Sequence, residues 1–67
     1  MTLRNFLVKS DTNFPAVYLY DTYENYQEDR PFDVFYRVSN IDRDLLDTEV
    51  DLWSVDSGRR LYVLLLV

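Results

Sequence analysis

The sequence predicts an α+β fold with an antiparallel sheet of about four strands and one short helix packed on it. Four stretches rich in β-branched and aromatic residues, separated by polar or turn-forming segments, indicate the strands. Two short segments with apolar residues at helical spacing give the order α-β-β-α-β-β. With 67 residues, the chain has room for a single domain spanning residues 1–67.

The first helix and the first strand are predicted near the start of the chain. Thr2 is placed to cap a helix whose apolar face begins with Leu3 and Phe6. The polar residues 10–13 then interrupt the helical pattern. Residues 16–20 predict a strand that turns its apolar side chains to one face and its tyrosines to the other.

Residues 21–31, here called the tyrosine segment, are predicted to form a long exposed loop before a second strand over 32–38. The residues that follow fit the Ser-x-x-Asp form of a capping box, from Ser39 to Asp42. They predict a short helix whose apolar side includes Leu45.

The C-terminal part predicts a hairpin, with strands over 49–55 and 60–67. Its turn spans 56–58, where Gly58 is available for a positive φ. The last strand has apolar residues on both of its faces, without alternation of apolar and polar positions. This pattern is typical of a strand covered on both faces. The tyrosine segment, a second copy of the chain or a partner protein could cover the second face.

Composition excludes most catalytic chemistry. The chain has no cysteine and no histidine, so disulfides, Cys/His zinc sites, thiol nucleophiles and imidazole catalysis are ruled out. A single glycine leaves no glycine-rich phosphate loop. We therefore expect no enzymatic activity and no cofactor.

One pattern resembles a calcium loop. Asn40, Asp42, Asp44 and Asp51 fall at the first, third, fifth and twelfth positions of such a loop. The sixth position is Leu45, where the loop needs glycine. Helix capping and solvation of a strand edge account for the same acids, and no metal site is predicted.

Charge narrows the possible partners. Twelve acidic residues against seven basic ones give a net charge of −5, which argues against direct binding to nucleic acid or to an anionic membrane. The start of the chain lacks the apolar run of a signal peptide, and the longest apolar stretch, 61–67, is too short to span a bilayer. These features predict a cytoplasmic protein.

Two groups of carboxylates are the sharpest functional signal. The acidic segment comprises residues 42–51. On its predicted strand, Glu49 and Asp51 lie two residues apart on the same face, at about 6.6 Å. This distance is close to the repeat of phosphates along a nucleic-acid strand. Such ridges could occupy a basic groove made for DNA or RNA, or they could only keep a small protein soluble. The candidate partner-binding residues are Asp42, Asp44, Asp47, Glu49 and Asp51, together with Asp21, Glu24, Glu28, Asp29, Tyr23 and Tyr26 of the tyrosine segment.

Three stretches resemble a group of small acidic proteins encoded by bacterial phages and conjugative elements: 1–7 (MTLRNFL), 17–21 (VYLYD) and 39–50 (SNIDRDLLDTEV). The last is similar to the group's short helix running into its third strand. The resemblance implies a genomic neighbourhood in which small proteins often inhibit host defence nucleases, as anti-CRISPR and anti-restriction proteins do. The tyrosine segment is longer than in that group.

The leading functional hypothesis is a mobile-element protein that inhibits a nucleic-acid-handling defence protein, such as a nuclease or CRISPR effector, by occupying its basic surface. The alternative is a structural interaction domain that forms a homodimer through its sheet.

Overall fold

The structure is a computed structural model that describes residues 1–10 and 14–67. It confirms the α+β class, with three α-helices and a four-stranded sheet. Most of the polar interruption predicted at 10–13 lies outside the described residues. The elements are α1 (Leu3–Lys9), β1 (Val17–Tyr20), α2 (Tyr23–Gln27), β2 (Asp33–Phe35), a 3-10 turn (Val38–Asn40), α3 (Arg43–Leu46), β3 (Val50–Val55) and β4 (Leu61–Leu65).

The sheet is mixed, so the prediction of a purely antiparallel sheet was wrong. The strand order is β2-β1-β4-β3, with β1–β2 and β3–β4 antiparallel. The two central strands, β1 and β4, are parallel and pair Val17 with Leu61 through Tyr20 with Leu64. These are the two most apolar strands of the chain, and the centre of the sheet is where both faces of a strand can be covered.

One face of the sheet, here called the helix face, carries the main core. Alternate residues of β1 and β4 meet the apolar sides of α1 and α3 there, and Leu45 and Leu46 of α3 pack against the cluster. Thr2 caps α1 as predicted, since its hydroxyl accepts a bond from the Asn5 amide. The core cluster comprises Leu3, Phe6, Phe14, Val17, Leu19, Ile41, Leu61, Val63 and Leu65.

The opposite face, here called the tyrosine face, is closed by the tyrosine segment. That segment was predicted as a loop, but its centre folds into α2, which contacts β1 and β4. Thr22 accepts a hydrogen bond from the Asn25 amide at 3.1 Å and so caps the helix. Tyr26 then packs edge-on against Tyr20 at 5.3 Å between ring centroids, and Leu64 is left only 3% exposed. The last strand is therefore covered on both faces by this chain alone.

Several predicted boundaries were too generous. The second strand was predicted over 32–38, but β2 ends at Phe35, because the chain bends there and then forms the 3-10 turn. The N-cap of α3 is Asp42 rather than Ser39, and no side-chain capping bond forms there. The last strand ends at Leu65, where pairing with β3 ends, and the two residues beyond are exposed. No helix among the described residues is long and apolar enough to cross a membrane.

The β3–β4 hairpin places its positive φ one residue later than predicted. Gly58 has no positive φ, whereas Arg59 has a φ of 66°. The Arg59 amide donates to the Asp56 carbonyl at 3.0 Å, and the Asp56 amide donates to the Arg60 carbonyl at 3.2 Å. This is a three-residue hairpin loop, whose last position is left-handed and normally favours glycine.

We expect Arg59→Gly to stabilise the protein. Relief of the left-handed penalty, less the entropy that glycine adds to the unfolded chain, should raise the free energy of unfolding by about 0.5–1 kcal/mol. Gly58→Ala is the matched control, because a Cβ there would meet its nearest atom, Asp56 Oδ1, at 3.4 Å. Urea unfolding measures both, and a less stable Arg59→Gly variant would contradict the assignment of strain.

Candidate functional site

The acidic segment (residues 42–51) divides into carboxylates that have a cation and carboxylates that do not. Asp47 forms an ion pair with Arg4 of α1. Glu49 accepts a hydrogen bond from the Met1 amino group at 2.6 Å. These two carboxylates help hold the start of the chain against the segment before β3, and that contact accounts for them structurally.

The other three carboxylates of the segment are exposed and form no ion pair among the described residues. Asp42 and Asp44 lie at the N-cap and in the first turn of α3, where negative charge favours the helix. Asp51 lies in β3, where the register with β4 shifts between Val50 and Leu52. Asp42 and Asp44 are therefore two such carboxylates at the start of one helix, α3.

Glu49 and Asp51, predicted to lie two residues apart on one regular strand, do not share such a strand. Glu49 precedes β3 and forms an isolated bridge with Thr2, and the register shift falls at the next residues. Two residues separated by such an irregularity do not keep the rise and facing of a regular strand.

Several residues of the tyrosine segment (residues 21–31) have structural contacts. Asp29 accepts a 2.6 Å hydrogen bond from the Tyr20 hydroxyl, and Asp21 accepts one from the Asn25 amide group at 3.0 Å. Glu28 forms an ion pair with Arg30. Glu24 is exposed in the first turn of α2.

The two tyrosines proposed for partner binding differ in environment. Tyr26 is half-buried, and its hydroxyl donates to Ser54 Oγ of β3 at 2.8 Å, in addition to the ring contact with Tyr20. Tyr23 is 59% exposed. Only Tyr23 therefore presents most of its surface to a possible partner.

The structure does not bring the two acidic groups together. The acidic segment includes α3, which packs on the helix face, whereas the tyrosine segment forms α2 on the tyrosine face. The sheet lies between them. A single flat surface of a partner can therefore contact one group or the other.

Two further polar networks stabilise the tyrosine face. Burial, with the hydrogen bond to Asp29, raises the pKa of Tyr20 well above its usual range. Asp56 accepts from the Arg60 amide, the Arg60 guanidinium and the Tyr62 hydroxyl at 2.8–2.9 Å. The hydrogen bond from the Arg60 backbone amide, and to a smaller extent the one from the Tyr62 hydroxyl, lowers the pKa of Asp56. Each group has a structural partner, which explains these shifts without a catalytic role.

Sequence reasoning missed one surface, the outer side of β3. This strand lies at the sheet edge, and its side chains Leu52, Trp53 and Val55 are 39%, 52% and 42% exposed. Trp53 touches Phe6 of α1 at 4.9 Å between ring centroids. An isolated tryptophan in a predicted strand was the available signal, but the sequence does not reveal which strand is at the edge.

Within residues 1–10 and 14–67, no group of three or more carboxylate, cysteine or histidine side chains is placed to hold a metal ion. Comparisons of the chain with protein-family models, with curated protein sequences and with solved structures found no match.

Proposed function

We propose that the protein is a non-catalytic inhibitor that occupies the basic surface of a nucleic-acid-handling defence protein in the cytoplasm of a host cell. The observation that carries the proposal is the exposure of Asp42 and Asp44 on α3 without an ion-pair partner among the described residues. Carboxylates in this state are available to a cationic partner, and a net charge of −5 adds long-range attraction.

The helix face supports α3 as the contact element. Ile41 is buried just before the helix, and Leu45 and Leu46 pack against the core, so the short helix is held on the domain. A fixed position reduces the entropy lost on binding. The class of target, a nuclease or CRISPR effector of the kind inhibited by phage proteins, is proposed from the resemblance of the sequence.

The test compares two pairs of neutralised carboxylates. The protein is used to capture partners from bacterial lysate at low salt, in three forms: unchanged, with Asp42→Asn and Asp44→Asn, and with Glu24→Gln and Glu28→Gln. The second pair removes the same charge from the opposite side of the sheet. We expect capture of a nucleic-acid-binding protein that is released by high salt and displaced by duplex DNA.

The α3 variant should bind that protein at least about tenfold more weakly, because its lost charges face the partner. The α2 variant should bind normally. Capture that is insensitive to DNA, or an effect confined to the α2 variant, would overturn the proposal.

The alternative function, a domain that interacts with its own copies, has a specific observation in its favour. β3 is an edge strand with three exposed apolar side chains, and such strands readily pair with another strand. Duplex DNA separates the two functions, because it competes for the basic surface of a partner and has no affinity for an acidic copy of this chain.

A further inference from the structure

The outer edge of β3 is partly occupied by the chain itself. Thr2 bridges Glu49, and the Val50 amide donates to the Met1 carbonyl at 2.8 Å, so the start of the strand is already paired. From Asp51 to Val55 no further strand pairs on the outer side within the described part of the chain. The open stretch is therefore centred on Trp53.

The hairpin determines which backbone groups point to this open edge. The Asp56 amide bonds to the Arg60 carbonyl of the neighbouring strand, and inward and outward positions alternate along an antiparallel pair. Ser54 and Leu52 therefore direct their amides and carbonyls toward β4. Trp53 and Val55 direct theirs outward.

These outward backbone groups can pair with a second copy of the same strand. In a two-fold symmetric antiparallel pair, facing residues lie on the same side of the sheet, so the symmetry axis passes through a residue paired with its own mate. Centring on Leu52 would place the partner's Ser54 opposite Val50, whose outer side is already occupied by Met1. Centring on Trp53 pairs it with the partner's Trp53, and pairs Val55 with the partner's Asp51.

The side chains agree with that register. The two Trp53 residues would have their Cα atoms about 5.5 Å apart, and each side chain is half exposed in the single copy. Tryptophan is among the residue types enriched at the energetic hot spots of interfaces. The pairing also places no acidic residue directly opposite another, because Asp51 meets Val55.

Charge along the edge is complementary under antiparallel pairing. The start of the strand carries Asp51, whereas Lys9 and Arg59 lie near its end and line a groove of about 490 Å³ with Phe6, Trp53 and Val55. Neither cation forms an ion pair among the described residues. Antiparallel pairing brings each basic end beside an acidic start, twice per dimer. Parallel pairing would set like charges together.

We propose that the protein forms a two-fold symmetric homodimer by antiparallel pairing of β3 with the β3 of a second copy, in the register Trp53 to Trp53. The two sheets then join into one continuous sheet. The interface is built from β3 and includes no residue of α3, so this proposal does not depend on the inhibitor function proposed above.

The decisive experiment is a charge exchange between two variants. Asp51→Arg sets a cation against the partner's Arg59, and Arg59→Glu sets a carboxylate against the partner's Asp51. Each variant alone should dimerise about tenfold or more weakly than the unchanged protein, since like charges meet at both ends. An equimolar mixture of the two should recover the dimer, because every end then faces its opposite charge.

Sedimentation velocity over a range of concentrations measures association, and circular dichroism verifies that each variant is folded. Glu24→Arg and Arg37→Glu are matched controls, with the same changes of charge away from β3, and should dimerise normally. A monomeric unchanged protein, or a mixture that recovers nothing beyond its separate components, would overturn the proposal.

Amide hydrogen exchange tests the register independently. The Trp53 and Val55 amides should gain protection as concentration rises, whereas the Leu52 and Ser54 amides should be protected throughout. Emission from the single tryptophan should shift to shorter wavelength over the same range, because the ring loses contact with water. A dimer whose Trp53 amide still exchanges freely uses another surface and would refute this one.

Discussion

Ending the chain after Tyr62 is expected to abolish cooperative folding. The truncation removes Val63, Leu64 and Leu65, which are at most 3% exposed and lie in a central strand. At 1.5–3 kcal/mol for each buried side chain, the loss is roughly 5–9 kcal/mol, comparable to the whole stability of a small domain. Thermal unfolding followed by circular dichroism measures it.

Ending the chain after Leu65 is the matched control. It removes Leu66 and Val67, which are 59% and 78% exposed, together with the bond from the Leu66 amide to the Glu49 carbonyl. We expect a loss of only about 1 kcal/mol. A cooperative transition in the form that ends after Tyr62 would show that the C-terminal part of β4 is not needed for the core.

The second large effect concerns the tyrosine face. We expect Leu64→Ala to lower the free energy of unfolding by about 2–4 kcal/mol. Leu64 lies between Tyr20 of β1 and Leu52 of β3, on the face covered by α2. A second core on this face would explain how a chain of 67 residues without disulfides buries enough apolar surface.

Leu66→Ala provides the comparison, since it deletes the same atoms from an exposed position and should change stability by about 0.5 kcal/mol or less. Urea unfolding of both variants separates the effects. If Leu64→Ala costs no more than Leu66→Ala, α2 does not close this face in solution.

Covering both faces with one short chain has a consequence for interactions. Tyr26 and Asp29, which sequence reasoning assigned to a partner, bond to Ser54 and Tyr20 within the domain. The surfaces left for partners are the exposed acids of α3 and the open edge of β3. One is polar and charged, and the other is apolar with open backbone groups, so they suit different partners.

Local patterns in the sequence determined the elements that depend on neighbouring residues. The Thr2 cap, the strand ending at Tyr20 and the β3–β4 hairpin all follow from residue types and spacing within a few positions. The absence of cysteine and histidine likewise restricts chemistry whatever the fold. The sequence identified the candidate acidic residues, but it did not show which of them form contacts within the domain.

Tertiary structure decided the features that depend on distant partners. The parallel pairing of β1 with β4 joins residues more than 40 positions apart, which no local pattern encodes. This pairing sets the strand order and leaves β3 at an edge of the sheet. The Thr22 cap of α2 is a local signal, but only the fold brings Tyr26 of this helix against Tyr20 and Ser54. The fold also decides which acidic residues form ion pairs. It brings Arg4 to Asp47 and leaves Asp42 and Asp44 exposed to water.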